Sequence, residues 1–218
     1  MRMRTPLLAG ALCLAYATPA FACNFYFAST FMKIPARPSF GAGVNAELSD
    51  PAFFGISADV AMRLGNNMVV QPAIGVCTGD DNTDPFFGAG VAYKLTQSGT
   101  MALNLQSGIS YLTYDGGSEM TIPIGLAASF AGSGTMGFYA GASLWWTQFD
   151  YDSELIDDDS DSDPVLYGGL QSRSGSMAWS LGAQVRMRDN DTDFGIVAGI
   201  SMNQGASAIR HIGKLFRK

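Results

Sequence analysis

From Ser39 onward, apolar residues alternate with small or polar ones at a period of two, as in a β-strand whose side chains point to opposite faces. The clearest case is 176–188, where Met177, Trp179, Leu181, Ala183, Val185 and Met187 interleave with Ser176, Ala178, Ser180, Gly182, Gln184, Arg186 and Arg188. The same pattern sets Phe54, Ile56, Ala58, Val60, Met62 and Leu64 against Gly55, Ser57, Asp59, Ala61 and Arg63. It recurs with Phe40, Ala42, Val44, Ala46 and Leu48, and again with Phe194, Ile196, Ala198, Ile200 and Met202. Runs of this kind predict strands over 39–48, 54–64, 67–77, 86–95, 101–114, 119–130, 135–151, 164–172, 176–188 and 193–203. Their spacing is that of an all-β chain of antiparallel hairpins.

The second column decides what kind of sheet this is. A water-facing column should be rich in Lys, Glu, Asp and Arg, because that face must be hydrated. Here it is mostly Gly, Ala, Ser, Asn and Gln, which suits a crowded, mildly polar interior, while the unbroken apolar column suits lipid outside. Hydrocarbon cannot hydrate backbone groups, so such a sheet must close on itself. The expected fold is therefore a closed antiparallel transmembrane β-barrel of about ten strands, with eight possible. The competing fold is a soluble exported β-barrel that binds an apolar small molecule.

The connections alternate. Residues 65–66, 96–100, 131–134 and 172–175 are tight and Gly-rich, whereas 49–53, 78–85, 115–118, 152–163 and 189–192 are longer or more acidic. Outer-membrane barrels show this asymmetry between periplasmic turns and external loops, and it puts both ends of the barrel on the periplasmic side. Aromatic residues gather at both levels. Phe53, Phe54, Phe86, Phe87, Tyr111, Tyr114, Trp145, Trp146, Phe149, Tyr151 and Phe194 lie toward the long loops, and Phe40, Tyr93, Phe130, Phe138 and Trp179 toward the short turns. Two interfacial girdles are the expected reading.

Composition narrows the function classes. Of 218 residues, 47% are hydrophobic and 15% charged, and the formal charge is −6, so clustered Lys and Arg for a nucleic-acid surface are lacking. Residues 1–22, with Arg2, Arg4, the apolar run 7–16, Pro19 and Ala20-Phe21-Ala22, read as a secretory signal peptide. The apolar run is too short to span a bilayer as a helix. An N-terminal extension at 23–38, a barrel domain at 39–203 and a basic tail at 204–218 follow. In the tail, Ile209, Ile212, Leu215 and Phe216 recur at helical spacing among Arg210, His211, Lys214, Arg217 and Lys218, as in a short amphipathic helix or a frayed basic end.

On this signal peptide, alternation and loop asymmetry, the chain resembles the small bacterial outer-membrane β-barrel proteins over roughly residues 39–203. The resemblance is one of architecture, without a specific motif, and the chain departs from it by ending on a tail instead of a terminal aromatic strand residue. It implies a location in the outer membrane after export, contact with outer-membrane lipid and lipopolysaccharide, insertion by the outer-membrane assembly machinery, and a monomer. Its implied role is structural, surface-binding or that of a narrow pore. Barrel enzymes of this class generally use a histidine with an acid or a serine; the single His211 lies in the basic tail, so no enzyme activity is expected.

Three residue groups remain as candidates. Glu47, Asp59, Arg63, Lys94, Arg186 and Arg188 fall on the inward column and predict a lumen charge network, with Glu47 pairing Arg186 or Arg188. Asp159, Asp161 and Asp163, like Asp189, Asp191 and Asp193, form Asp-x-Asp-x-Asp stretches that could hold Ca²⁺ or simply stay solvated; no other cofactor is implied. Cys23 and Cys77 are left once Cys13 departs with the leader. They suggest one disulfide, with a lipidated Cys23 as the rival reading, and the disulfide would require residues 24–37 to thread the lumen.

Overall fold

The computed structural model describes residues 39–47, 53–79, 82–131, 136–152, 159–174, 177–188 and 192–203. Among them run ten strands: β1 (Ser39–Glu47), β2 (Phe53–Leu64), β3 (Met68–Gly79), β4 (Asn82–Ser98), β5 (Met101–Tyr114), β6 (Gly117–Ala131), β7 (Met136–Tyr151), β8 (Asp159–Ser174), β9 (Met177–Met187) and β10 (Thr192–Asn203). Each pairs antiparallel with its neighbours in sequence, and β1 pairs with β10, so the sheet is a closed barrel without a free edge. The closing seam runs from Ser39 opposite Asn203 to Glu47 opposite Gly195.

The alternation read in the sequence becomes two surfaces. Outside stand Ile56, Ile74, Phe87, Ile124, Leu144, Leu166, Leu181 and Ile196 among many exposed apolar side chains, with Ile74 at 67% exposure. Along β7 the outward apolar column extends from Met136 to Trp146 before Gln148 and Asp150 end it. Ten residue steps at about 3.3 Å cover ~33 Å along the strand, or roughly 25 Å of height at a tilt near 40°. That height matches the apolar band of membrane barrels.

Strand ends correct the loop reading. The stretch 78–85, expected as a loop, is mostly ladder: β3 continues to Gly79, β4 starts at Asn82, and Thr78 lies opposite Thr83. Residues 115–118 shrink to a turn in which Gly116 takes a φ of 98°, a left-handed conformation that glycine adopts without a Cβ penalty. The acidic stretch 159–163 is also strand, its residues opposite Trp145 to Phe149 of β7. Asp, Asn and Gly are poor strand formers, yet a partner strand already fixed in place supplies ladder bonds that outweigh this preference. External extension is thus carried by strands that outrun the apolar band.

The girdle expectation splits in the same way. Phe54, Phe87, Trp146 and Phe194 face outward at the upper level, and Tyr93, Phe130, Phe138 and Trp179 at the lower one. Phe86, Trp145 and Phe149 are instead buried inside the barrel. Neighbours such as Phe86-Phe87 and Trp145-Trp146 must point to opposite faces of a strand, so only one of each pair can reach an interface. Residues 1–22, read above as a leader, the stretch 23–38 and the stretch 204–218 with His211 lie outside the described residues.

The outward column is sensitive to charge in a manner that separates lipid from water. Leu181→Arg should lower the stability of the barrel refolded in lipid vesicles by ~2–4 kcal/mol, whereas the same change at Met202, near the end of its strand, should cost about 0–1 kcal/mol. Urea titrations of the two variants check this, and equal, negligible losses would point to an aqueous exterior.

Candidate functional site: the barrel lumen

The inward column is crowded on one side. Near the external end, Arg186 of β9 is fully buried (0% exposed) and its Nε donates to Asp163 Oδ2 of β8 at 2.6 Å. Its Nη2 forms an ion pair with the same oxygen and lies 3.4 Å from Thr147 Oγ1 of β7. Thr147 and Thr121 of β6 share a hydrogen bond at 3.2 Å, and the Thr121 hydroxyl donates to Glu119 Oε1 at 2.9 Å. The guanidinium carbon sits 5.8 Å from the Trp145 ring centroid, a cation–π contact. Four adjacent strands, β6 to β9, therefore contribute to one buried polar cluster around a single cation.

Below it, Tyr167 of β8 donates its hydroxyl to Gln106 Oε1 of β5 at 2.8 Å. Those strands are three spacings apart, about 14 Å along the wall, so this bond is a chord across the lumen and not a neighbour contact. Glycines make room for it. A Cβ at Gly141 would collide with the Tyr167 ring and come within 2.6 Å of the Leu126 carbonyl oxygen, and one at Gly182 would collide with the Tyr139 hydroxyl. Tyr139 and Tyr167 form a buried cluster with Ala127, Trp145 and Val165.

Of the six charges expected in one network, five have described side chains, and these five fall in separate places. Arg186 and Arg188 each have a carboxylate on a neighbouring strand, Asp163 for the first and Asp193 at 3.2 Å for the second. Asp59 accepts the Gln71 amide at 2.8 Å, with Gly41 opposite leaving space for its carboxylate. Arg63 sits at the short-turn rim, bonding Gly65 O at 2.5 Å and Asn66 at 2.8 Å, and Lys94 reaches Gln97 at 3.0 Å. Glu47 pairs in the ladder with Gly195 and Phe53, and its side chain lies outside the described residues.

The carboxylates proposed for Ca²⁺ are divided as well. Asp163 and Asp193 turn inward and serve as arginine partners, which removes one carboxylate from each Asp-x-Asp-x-Asp stretch. Asp159 and Asp161 accept hydrogen bonds from the backbone N–H groups of Ser160 and Ser162, both at 2.7 Å. Asp189 and Asp191 lie outside the described residues, and no group of three metal-ligating side chains occurs among those described. What sequence reasoning missed is the assembly of Trp145, Thr121, Thr147, Glu119, Tyr139 and Tyr167 in the lumen. The available signal was parity: each occupies the same column as the small polar residues of its strand.

Cutting this cluster should be costly in a particular way. Asp163→Ala leaves Arg186 buried without its carboxylate and should lower stability by ~3–5 kcal/mol, while Asp163→Leu with Arg186→Met, which removes both charges, should recover most of that loss. Gly141→Ala should destabilise by ~1–3 kcal/mol through overpacking against Tyr167. Urea midpoints of the refolded variants, read by the shift between folded and heat-unfolded gel mobility, check both expectations.

The barrel is similar in shape to several solved structures. One is the transport unit of the autotransporter AIDA-I from Escherichia coli, with 10% identity, 93% of this chain and 100% of that one covered, and a TM-score of 0.48. Another is the translocator domain of the autotransporter NalP from Neisseria meningitidis, with 9% identity, coverage of 90% and 94%, and a TM-score of 0.48. A third is LpxR from Salmonella typhimurium, with 8% identity, coverage of 76% and 100%, and a TM-score of 0.47. No family model and no curated protein sequence matches the chain. The closed antiparallel ten-stranded barrel is read from this chain's own strand pairing.

Proposed function

We propose that the protein is an outer-membrane β-barrel with a surface role, structural or binding, and that its lumen is not a path for solutes. The observation that carries this reading is the Tyr167–Gln106 bond across the lumen, with the buried Arg186 cluster stacked on its external side. A solute passing between them would have to break a buried, hydrogen-bonded ion pair, and leaving either charge buried without the other is costly. Ten strands allow at most a narrow passage even before side chains are placed. The exposed apolar band supports membrane residence over a soluble ligand-binding barrel, since a water-facing exterior would carry charges at these positions.

The groups offered to the outside are acidic. Asp159 and Asp161 occupy inward-parity positions at the external end of β8, exposed and above the Arg186 pair. Lipid and lipopolysaccharide would surround the band, and any binding partner would meet this rim. No side chain of the lumen is assigned a catalytic part in this reading.

Two measurements test it together. The exported protein should stay in the membrane fraction through high salt and carbonate and leave only with detergent. Liposomes containing it should admit small sugars no faster than protein-free liposomes, and Tyr167→Ala should raise that rate. Release by carbonate would overturn the membrane reading, and rapid sugar entry through the unmodified barrel would overturn the closed lumen.

A further inference from the structure

Closure pairs every strand on both sides, but only along the length that its neighbours share. On the β7 flank of β8, Asp159 lies opposite Phe149 and Ser172 opposite Met136, with no register shift between. On the β9 flank the pairing stops at Val165, opposite Arg186. The stretch 159–163 is therefore ladder on one side and, among the described residues, open edge on the other. Its sequence accounts for the difference. Even-numbered residues of β8 turn their backbone groups toward β9, since the Gly168 carbonyl oxygen lies 3.0 Å from where a Cβ of Gly182 would stand. Pro164 falls on that parity and has no N–H to give, so the β9 ladder ends beside it. β10 begins at Thr192 opposite Met187, and the intervening 188–191 are too few to run the length of 159–163 and return.

Two observations on this edge bear on what fits it. Ser160 and Ser162 share the parity of Gly168, so their N–H groups point to the open flank. There each donates at 2.7 Å to the carboxylate of the residue before it, Asp159 or Asp161. Those contacts stand where ladder bonds would be, and the C=O groups of the same two serines face the same way. The second observation is charge. Asp159 and Asp161 are exposed, as are Asp150 and Asp152 at the end of β7, whereas Arg186 and Arg188 at this level are engaged by Asp163 and Asp193. Among the described residues, the edge is bordered by a surplus of acid.

We propose that the open flank of 159–163 is a docking edge for an extended cationic segment of a partner protein, which adds to β8 as an antiparallel strand in the line of β9. Backbone groups of the segment replace the carboxylates at Ser160 and Ser162. Lys or Arg at every second position then meets the released Asp159 and Asp161 across the pair. Main-chain bonds give the affinity, and charge selects the partner. A second copy of this chain would bring the same acids to the edge, and like charges opposite one another are unfavourable. The inference rests on the surface-binding reading and names the class of partner for it.

The test uses the whole exported protein in a non-ionic detergent and three short synthetic peptides. One alternates lysine with valine, one is the same peptide methylated at its valine nitrogens, and one alternates glutamate with valine. The first should bind and slow hydrogen exchange at the Ser160 and Ser162 amides by at least roughly tenfold. Methylation keeps the charge and removes the N–H groups that face the serines, so it should weaken binding at least roughly tenfold. The glutamate peptide should not bind. Ser162→Pro removes one N–H from the open flank and none from the β7 ladder, so it should weaken the lysine peptide about fivefold with folded gel mobility unchanged. The peptide comparison needs no variant and decides the matter if Ser162→Pro does not fold. Absence of binding by the lysine peptide, or equal binding of its methylated form, would overturn the proposal, the latter in favour of charge attraction alone. Slow exchange at both serine amides before any peptide is added would assign the edge to a segment of this chain. A dimer that Ser162→Pro separates would assign it to a second copy, and either result overturns the proposal. A barrel that passes the carbonate test and fails these loses its docking edge while keeping its membrane reading.

Discussion

A strand in hydrocarbon has no water to satisfy its N–H and C=O groups, so each must find a partner on another strand. Every other feature of the barrel follows from that constraint. It forces the last strand back onto the first, so β10 pairs along the whole of β1, and it leaves no edge within the hydrocarbon for other chains to join. It also fixes the period of two, because a paired strand has no freedom to rotate its side chains off the two faces. The apolar column then has lipid to face, and whatever is polar must face inward.

Inward placement creates a second problem, which the lumen resolves by local satisfaction. Arg186 would be very costly as an isolated buried charge, and its pairing with Asp163, Thr147 and the Trp145 ring is what makes it tolerable there. Glycine has the opposite role: at Gly141 and Gly182 the missing side chain is the space in which Tyr167 and Tyr139 lie.

Much of this was legible because period and composition report directly on the two environments of a strand. The runs 54–64, 101–114 and 176–188 match β2, β5 and β9 closely, since their outward residues alternate without interruption. The stretches around 78–85 and 159–163 misled, since Thr, Asp and Ser mark turns when read locally and say nothing of a neighbouring strand that can pair with them. Asp163 illustrates the cost of local reading. Within its Asp-x-Asp-x-Asp stretch it resembles a cation ligand, and only the position of β9 beside β8 reveals its arginine.

By itself, then, the sequence determined the class of fold, the hand each residue takes in or out of the barrel, and the expectation of a membrane around it, because alternation is a property of consecutive residues. The partners inside were decided by tertiary structure. Gln106 and Tyr167 are 61 residues apart, and Thr121 and Thr147 are 26 apart. No spacing rule links them. They meet because strand number, tilt and register together set which inward side chains share a level and how far across the lumen each can reach.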